Sequence, residues 1–205
     1  FTVMGQHHTR NEGVARVTGR SIYSQDVTVE GMLFAAVLRP PSRGASLASA
    51  DTSIAERMPD VVCVVRDDDL IAVLAGTDEH AAAAAGLLQA RWDERDDATT
   101  ILDLPEMLQR TGRDPFVMQE SGSLDEGMRA ASGVLEATYF IPYVSNAPME
   151  PRAAVAAWDG DRLTVYAGTQ RPFGIRTELA QRFGIEEHMV RVIAPEIGGG
   201  FGSKS

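Results

Sequence analysis

The chain has 205 residues, enough for one domain or two small ones, and its 44% hydrophobic and 23% charged content is that of a soluble globular protein. A formal net charge of -10 argues against a nucleic-acid partner, because phosphate binding needs clustered Lys and Arg. A single cysteine, Cys63, excludes a disulfide framework and any zinc or iron–sulfur site made from this chain's own cysteines, and no apolar run reaches the ~20 residues that span a bilayer.

The pair His7-His8 near the amino terminus reads as a solvated arm rather than a metal site. The chain opens on Phe1 rather than Met, so its natural start is expected to lie upstream, and no signal peptide is visible. Residues 20–24 read as a short extended segment and residues 31–39 as a strand, stopped by Pro40-Pro41. Residues 50–58 read as a short helix capped by Asp51 or Thr52. The run Val61-Val62-Cys63-Val64-Val65 reads as a buried strand, with Cys63 as a core thiol. Asp67-Asp68-Asp69 lacks the oxygen spacing of a calcium loop and reads as a solvated turn before a strand at 70–76. Thr77 then caps an alanine-rich helix over residues 81–91, with His80 on its surface.

The acidic, Pro- and Gly-punctuated residues 93–115 have linker composition, with one short helix over 102–110. Ser123 and Glu126 form a capping-box pattern at a helix start. Residues 133–140 alternate as a strand does, and Pro148-Met149-Glu150-Pro151 is a rigid turn. Strands at 153–158 and 163–168 flank Asp159-Gly160, whose composition suits a type I′ hairpin turn.

The final third predicts a site. Strand 163–167, helix 172–183 and strand 189–193 make a right-handed βαβ crossover, with Ile175, Leu179 and Phe183 on one helix face and Gly184 as the C′ stop. Its two strands are therefore parallel, and their carboxyl ends share one sheet edge. Gly168-Thr169-Gln170 follows the first, and Gly198-Gly199-Gly200-Phe201-Gly202-Ser203-Lys204 follows the second. Both face the crevice where open α/β sheets bind ligands, which places Gln170 near Gly199 and Phe201. Consecutive glycines expose bare N–H groups, so the loop reads either as a cradle for an anion or cofactor or as a ligand-free turn. It approaches the phosphate-loop pattern, but Ser203 stands where that pattern needs glycine.

These residues resemble the large, molybdenum-binding subunit of the xanthine dehydrogenase and aldehyde oxidase family. The resemblance rests on the glycine loop, on Gly168-Thr169-Gln170, on Pro148-Met149-Glu150-Pro151, and on Arg16-Val17-Thr18-Gly19-Arg20-Ser21-Ile22-Tyr23 followed by Gly31-Met32-Leu33. It implies an α+β chain: a small hammerhead-like α/β domain over residues 1–95, a linker over 96–120, and the beginning of a molybdopterin-binding domain over 121–205. It implies hydroxylation of an aldehyde or an N-heterocycle with water-derived oxygen at a molybdenum–pterin, in plain or cytosine dinucleotide form. Carried over, Gln170 contacts the apical oxo ligand without binding the metal directly, and Gly199, Gly200, Phe201 and Gly202 pack against the cofactor. The general-base glutamate is expected beyond Ser205, so the chain is expected to be a fragment or split subunit, inactive alone. Purine-oxidising members carry a glutamate after the loop lysine, where Ser205 stands here. Asn146 lies near the place of a frequent family histidine. Implied partners are the remaining large-subunit polypeptide, a [2Fe–2S] subunit and a flavin or cytochrome subunit, in the cytoplasm or alternatively the periplasm. The competing reading is a non-catalytic anion- or nucleotide-binding α/β module.

Overall fold

The computed structural model describes residues 2–94, 100–113 and 116–205. Residues 95–99 and 114–115 of the expected linker lie outside the described residues. The helices are Gly13–Val17 (α1), Asp78–Ala85 (α2), Leu104–Thr111 (α3), Leu124–Ala130 (α4) and Pro172–Phe183 (α5). The strands are Phe34–Leu38 (β1), Ser46–Asp51 (β2), Val61–Asp67 (β3), Leu70–Ala75 (β4), Gln89–Asp93 (β5), Ala154–Asp159 (β6), Arg162–Ala167 (β7) and Val190–Ile193 (β8). The chain is α+β, and it packs as two compact units, one of residues 1–34 with 145–205 and the other of residues 35–144.

In the second of these units the sheet order β1-β4-β3 makes β4 the central strand, and β4 takes the burial: Ile71, Val73 and Ala75 are fully buried. Val73 packs with Ala55 and Ala84 in the unit's core. Edge strand β3 is mostly exposed, and Cys63 is an exposed thiol rather than the expected core residue. The valine-rich run is apolar enough for a core strand, but the strand order puts only Val61 and Val64 towards the apolar cluster. Turn residue Asp68 adopts φ 50, so the three-acid run is a tight turn, and Asp69 accepts a hydrogen bond from Leu47 N at 2.7 Å.

Three further expectations change. The segment expected as helix 50–58 is the end of β2 followed by a single 3-10 turn, Ala55–Arg57. Helix α2 stops at Ala85, and Gln89 to Asp93 pair antiparallel with β2 instead of continuing it. Thr77 does cap α2, accepting from His80 N at 3.2 Å. Residues 133–140, expected as a strand, form none, and no described strand pairs with them.

The unit of residues 1–34 and 145–205 is organised on sheet β6-β7-β8. β6 and β7 form the expected hairpin, closed by Gly160 and Asp161 between the pair Asp159 and Arg162. Only Gly160 has positive φ (56), so the φ signs are those of a II′ turn rather than I′. β7 and β8 run parallel, from Leu163 opposite Val190 to Tyr166 opposite Ile193, with α5 as the crossover. Gly184 ends α5 at φ 65, in the left-handed region that favours glycine. Leu163, Val165, Val190 and Ala180 form the core beneath the helix, flanked by Leu179. Helix α1 has no counterpart in the sequence expectation; its Arg16 pairs with Glu196, just after β8.

Candidate functional site at the carboxyl edge of β7 and β8

The parallel register brings the segment after β7 and the segment after β8 to the same edge, as the crossover geometry requires. Gln170 N–H donates to Lys204 O at 2.7 Å, and Gln170 Oε1 accepts from Gly202 N at 2.9 Å. Thr169, itself buried, donates its hydroxyl to Lys204 O at 3.2 Å and accepts from Arg171 N at 2.9 Å. So Gln170 and the glycine loop are in contact through backbone and side chain alike.

The glycines are needed for space as well as conformation. A Cβ on Gly200 would overlap Gln170 Oε1 and sit 2.7 Å from its Cδ. A Cβ on Gly198 would lie 2.9 Å from Glu150 Cβ. Gly199 has φ 100, and a Cβ there would meet the Phe201 ring at 2.8 Å, so that ring folds over the Gly199 backbone. Phe201 itself has φ 50, an outlying conformation for a bulky residue, and is 70% exposed. A strained, exposed aromatic is disfavoured unless its surroundings or a ligand over-determine it.

Four residues that sequence reasoning did not assign to the site hold the loop. Asn146 Nδ2 donates to Phe201 O, and Arg152 Nη2 donates to Ser203 O. Lys204 Nζ pairs with Glu150, and the same Glu150 Oε2 accepts Gly198 N–H at 2.8 Å. The side chains of Lys204 and Glu150 are 1% and 12% exposed. The Pro148-Met149-Glu150-Pro151 turn and the loop lysine are visible as motifs, but their mutual pairing has no local signal. Burial raises the Glu150 pKa, yet the hydrogen bonds from Lys204 and Gly198 and the Lys204 charge outweigh it and hold the carboxyl below its ordinary value. A carboxyl lowered in this way adds stability above its ordinary pKa, and the addition is lost as pH falls through the lowered value. Acid titration followed by amide exchange is expected to release Gly198 N–H in that window, below the ordinary carboxylate range; unchanged protection there would show the pair to be neutral to loop order.

Several donors at this edge stay open. Among the described residues the N–H groups of Gly199, Gly200 and Phe201 make no hydrogen bond, and Gln170 Nε2 has no partner. Backbone donors in succession, with alternating φ signs, make a concavity for an oxo or anionic oxygen. The residues therefore fit a group presenting several oxygen acceptors: a bare cradle, one free amide donor and an aromatic wall. No group of three or more His, Cys, Asp or Glu that could hold a metal occurs among the described residues. The phosphate-loop alternative finds no support, since the lysine that would reach a phosphate is buried against Glu150 and Gly198 N–H is already taken.

Residues 109–205 match the molybdopterin cofactor-binding domain family. Over 95% of its length the chain is 31% identical to a probable xanthine dehydrogenase subunit of Bacillus subtilis (strain 168), covering 31% of that protein. It is 28% identical to the aldehyde oxidoreductase molybdenum-binding subunit PaoC of Escherichia coli (strain K12), over 98% of this chain and 31% of that protein. The crystal structure of quinoline 2-oxidoreductase from Pseudomonas putida 86 superposes with a TM-score of 0.74 at 26% identity, over 98% of this chain and 31% of that one. The chain thus spans about a third of the length of the relatives it matches. By motif, fold and similarity, the chain belongs to the family of molybdenum-binding subunits of xanthine dehydrogenases and aldehyde oxidoreductases.

Proposed function

We propose that this chain is part of a molybdenum hydroxylase that oxidises an aldehyde or an N-heterocycle with oxygen derived from water, and that its glycine loop and Gln170 form one wall of the cofactor site. The observation that supports this best is the convergence of three unpaired backbone N–H groups and the free Gln170 amide at one sheet edge. Relatives named for aldehydes, xanthine and quinoline support that substrate class. When bound, the molybdenum–pterin would supply two-electron oxidation of the substrate carbon. This chain's residues would hold and orient it: Gly199, Gly200 and Phe201 through backbone N–H groups, and Gln170 through Nε2 towards an oxo ligand. Gly202 would pack beside them, and the Phe201 ring would shield that face of the bound group from water.

The carboxylate that takes the substrate proton is proposed to lie outside residues 1–205, on the remaining large-subunit polypeptide. Electrons would leave through a [2Fe–2S] subunit to a flavin or cytochrome. A hammerhead-like domain over 1–95, a linker over 96–120 and a cofactor domain over 121–205 are proposed as the functional division. A cytoplasmic location is proposed, with the periplasm as the alternative; no described helix is long and apolar enough to cross a membrane.

Molybdenum and pterin analysis of the chain purified with its native partners tests the reading. Stoichiometric metal is expected, and a metal-free complex with full activity would exclude it. In that complex Gln170→Ala should lower turnover by about 10- to 100-fold, the usual cost of losing an outer-shell partner of a metal centre. Circular dichroism should stay unchanged, and undiminished turnover would remove Gln170 from the site.

A further inference from the structure

Among the described residues Lys204 is the one charged residue that is buried. A buried ion pair is a poor source of net stability, because desolvation offsets most of its attraction, so its presence calls for another reason. Here the pair is directional. Glu150 Oε2 receives both Lys204 Nζ and Gly198 N–H, and Lys204 O receives Gln170 N–H and the Thr169 hydroxyl. One residue therefore ties three segments together: the Met-Glu-Pro turn, the glycine loop and the segment after β7. The donors left open, on Gly199, Gly200 and Phe201, lie between Gly198, held by Glu150, and Gly202, held by Gln170.

We propose that Glu150 and Lys204 are positioning residues of the cofactor cradle: their largely buried pair sets where the open N–H groups and the Gln170 amide stand relative to one another. This rests on reading the cradle as the cofactor site. Glu150 touches none of the open donors, so its effect travels through Gly198, whose N–H it accepts, and through Lys204 to Gln170, whose backbone N–H is held by Lys204 O.

The test uses the complex as purified with its partners, in wild-type, Glu150→Gln, Lys204→Met and Lys204→Arg forms. Amide exchange, molybdenum content and the Mo(V) paramagnetic resonance line shape are read together. Glu150→Gln is close to isosteric but leaves Lys204 uncompensated, and exchange at Gln170 N–H is expected to accelerate on the order of 100-fold. Protection at Val165 and Val192 should hold, and the line shape of the loaded fraction should change. Lys204→Arg should restore most of both readouts. Wild-type exchange at Gln170 in Glu150→Gln overturns the positioning role. So does a lower molybdenum content with an unaltered line shape, which a merely structural pair would produce. If Lys204→Met loses protection throughout the sheet, Glu150→Gln and Lys204→Arg decide by the same readouts. A molybdenum-free wild-type complex overturns the cofactor reading itself, and the proposal with it, so the two failures are distinct.

Discussion

Leu163→Ala is expected to destabilise the unit built on β6-β7-β8 by about 2–5 kcal/mol, the range for truncating a buried leucine where the cavity collapses only partly. Leu163 is 2% exposed, stands opposite Trp158 on β6 and Val190 on β8, and packs in the cluster with Ala180 of α5. Its neighbours are small or branched, with no long, pliable side chain among the buried set to fill the gap, so the upper half of the range is expected. Urea unfolding read by Trp158 fluorescence checks this, because Trp158 sits in β6 with its ring edge-on to Phe183 at a 5.4 Å centroid separation. Trp92 lies on β5 in the other unit, so a Trp92→Phe background isolates the signal. A midpoint shift worth less than about 1 kcal/mol would mean that the core is not what holds the sheet.

The consequence for the site follows from topology. Gln170 hangs from the end of β7 and the glycine loop from the end of β8, so the distance between them is set by the register that Leu163 and Val190 help to fix. Function should therefore fail before the sheet unfolds, as the two carboxyl ends begin to slide apart.

Much of this region is legible from residues alone. Helix 172–183 has a clean apolar spacing and a glycine stop, and the right-handed crossover rule then dictates parallel strands and a shared edge. Gln170 and Gly202 meet for that reason. The misses share a different cause. Gln89 to Arg91 follow an alanine run of high helix propensity, yet they belong to β5 because Ser46–Asp51 supplies a ladder partner that no local pattern announces. Residues 133–140 alternate as a strand should, but alternation says nothing of whether a partner is at hand. Cys63 sits in an apolar run whose burial depends on strand order: β4 is central and β3 is at the edge. At the site, Glu150 and Lys204 are 54 positions apart, so their pairing is a property of the assembled fold and not of either motif.

Gly200→Ala is the sharpest test of the cradle, because the added methyl enters occupied space without a demand on φ. Its Cβ would overlap Gln170 Oε1 and lie 2.7 Å from Cδ. Glutamine is pliable, so the clash is relieved by swinging the side chain away, at the loss of the 2.9 Å bond from Gly202 N. One neutral hydrogen bond is worth only about 0.5–1.5 kcal/mol, and the thermal midpoint should fall slightly. The effect on chemistry should be far larger. Moving a group by about 1 Å from its productive position can cost on the order of 100-fold in rate, and here the displaced group is the free amide of Gln170. A small stability loss beside a large loss of turnover is therefore the expected signature. The double variant with Gln170→Ala separates this from a general disturbance of the loop. If the methyl acts by displacing Gln170, the second substitution removes the clash and the two turnover losses are strongly non-additive, with the double variant no worse than Gln170→Ala alone. Additive losses would mean that Gly200 matters for its own N–H or for close approach of the cofactor, and that the contact with Gln170 is incidental.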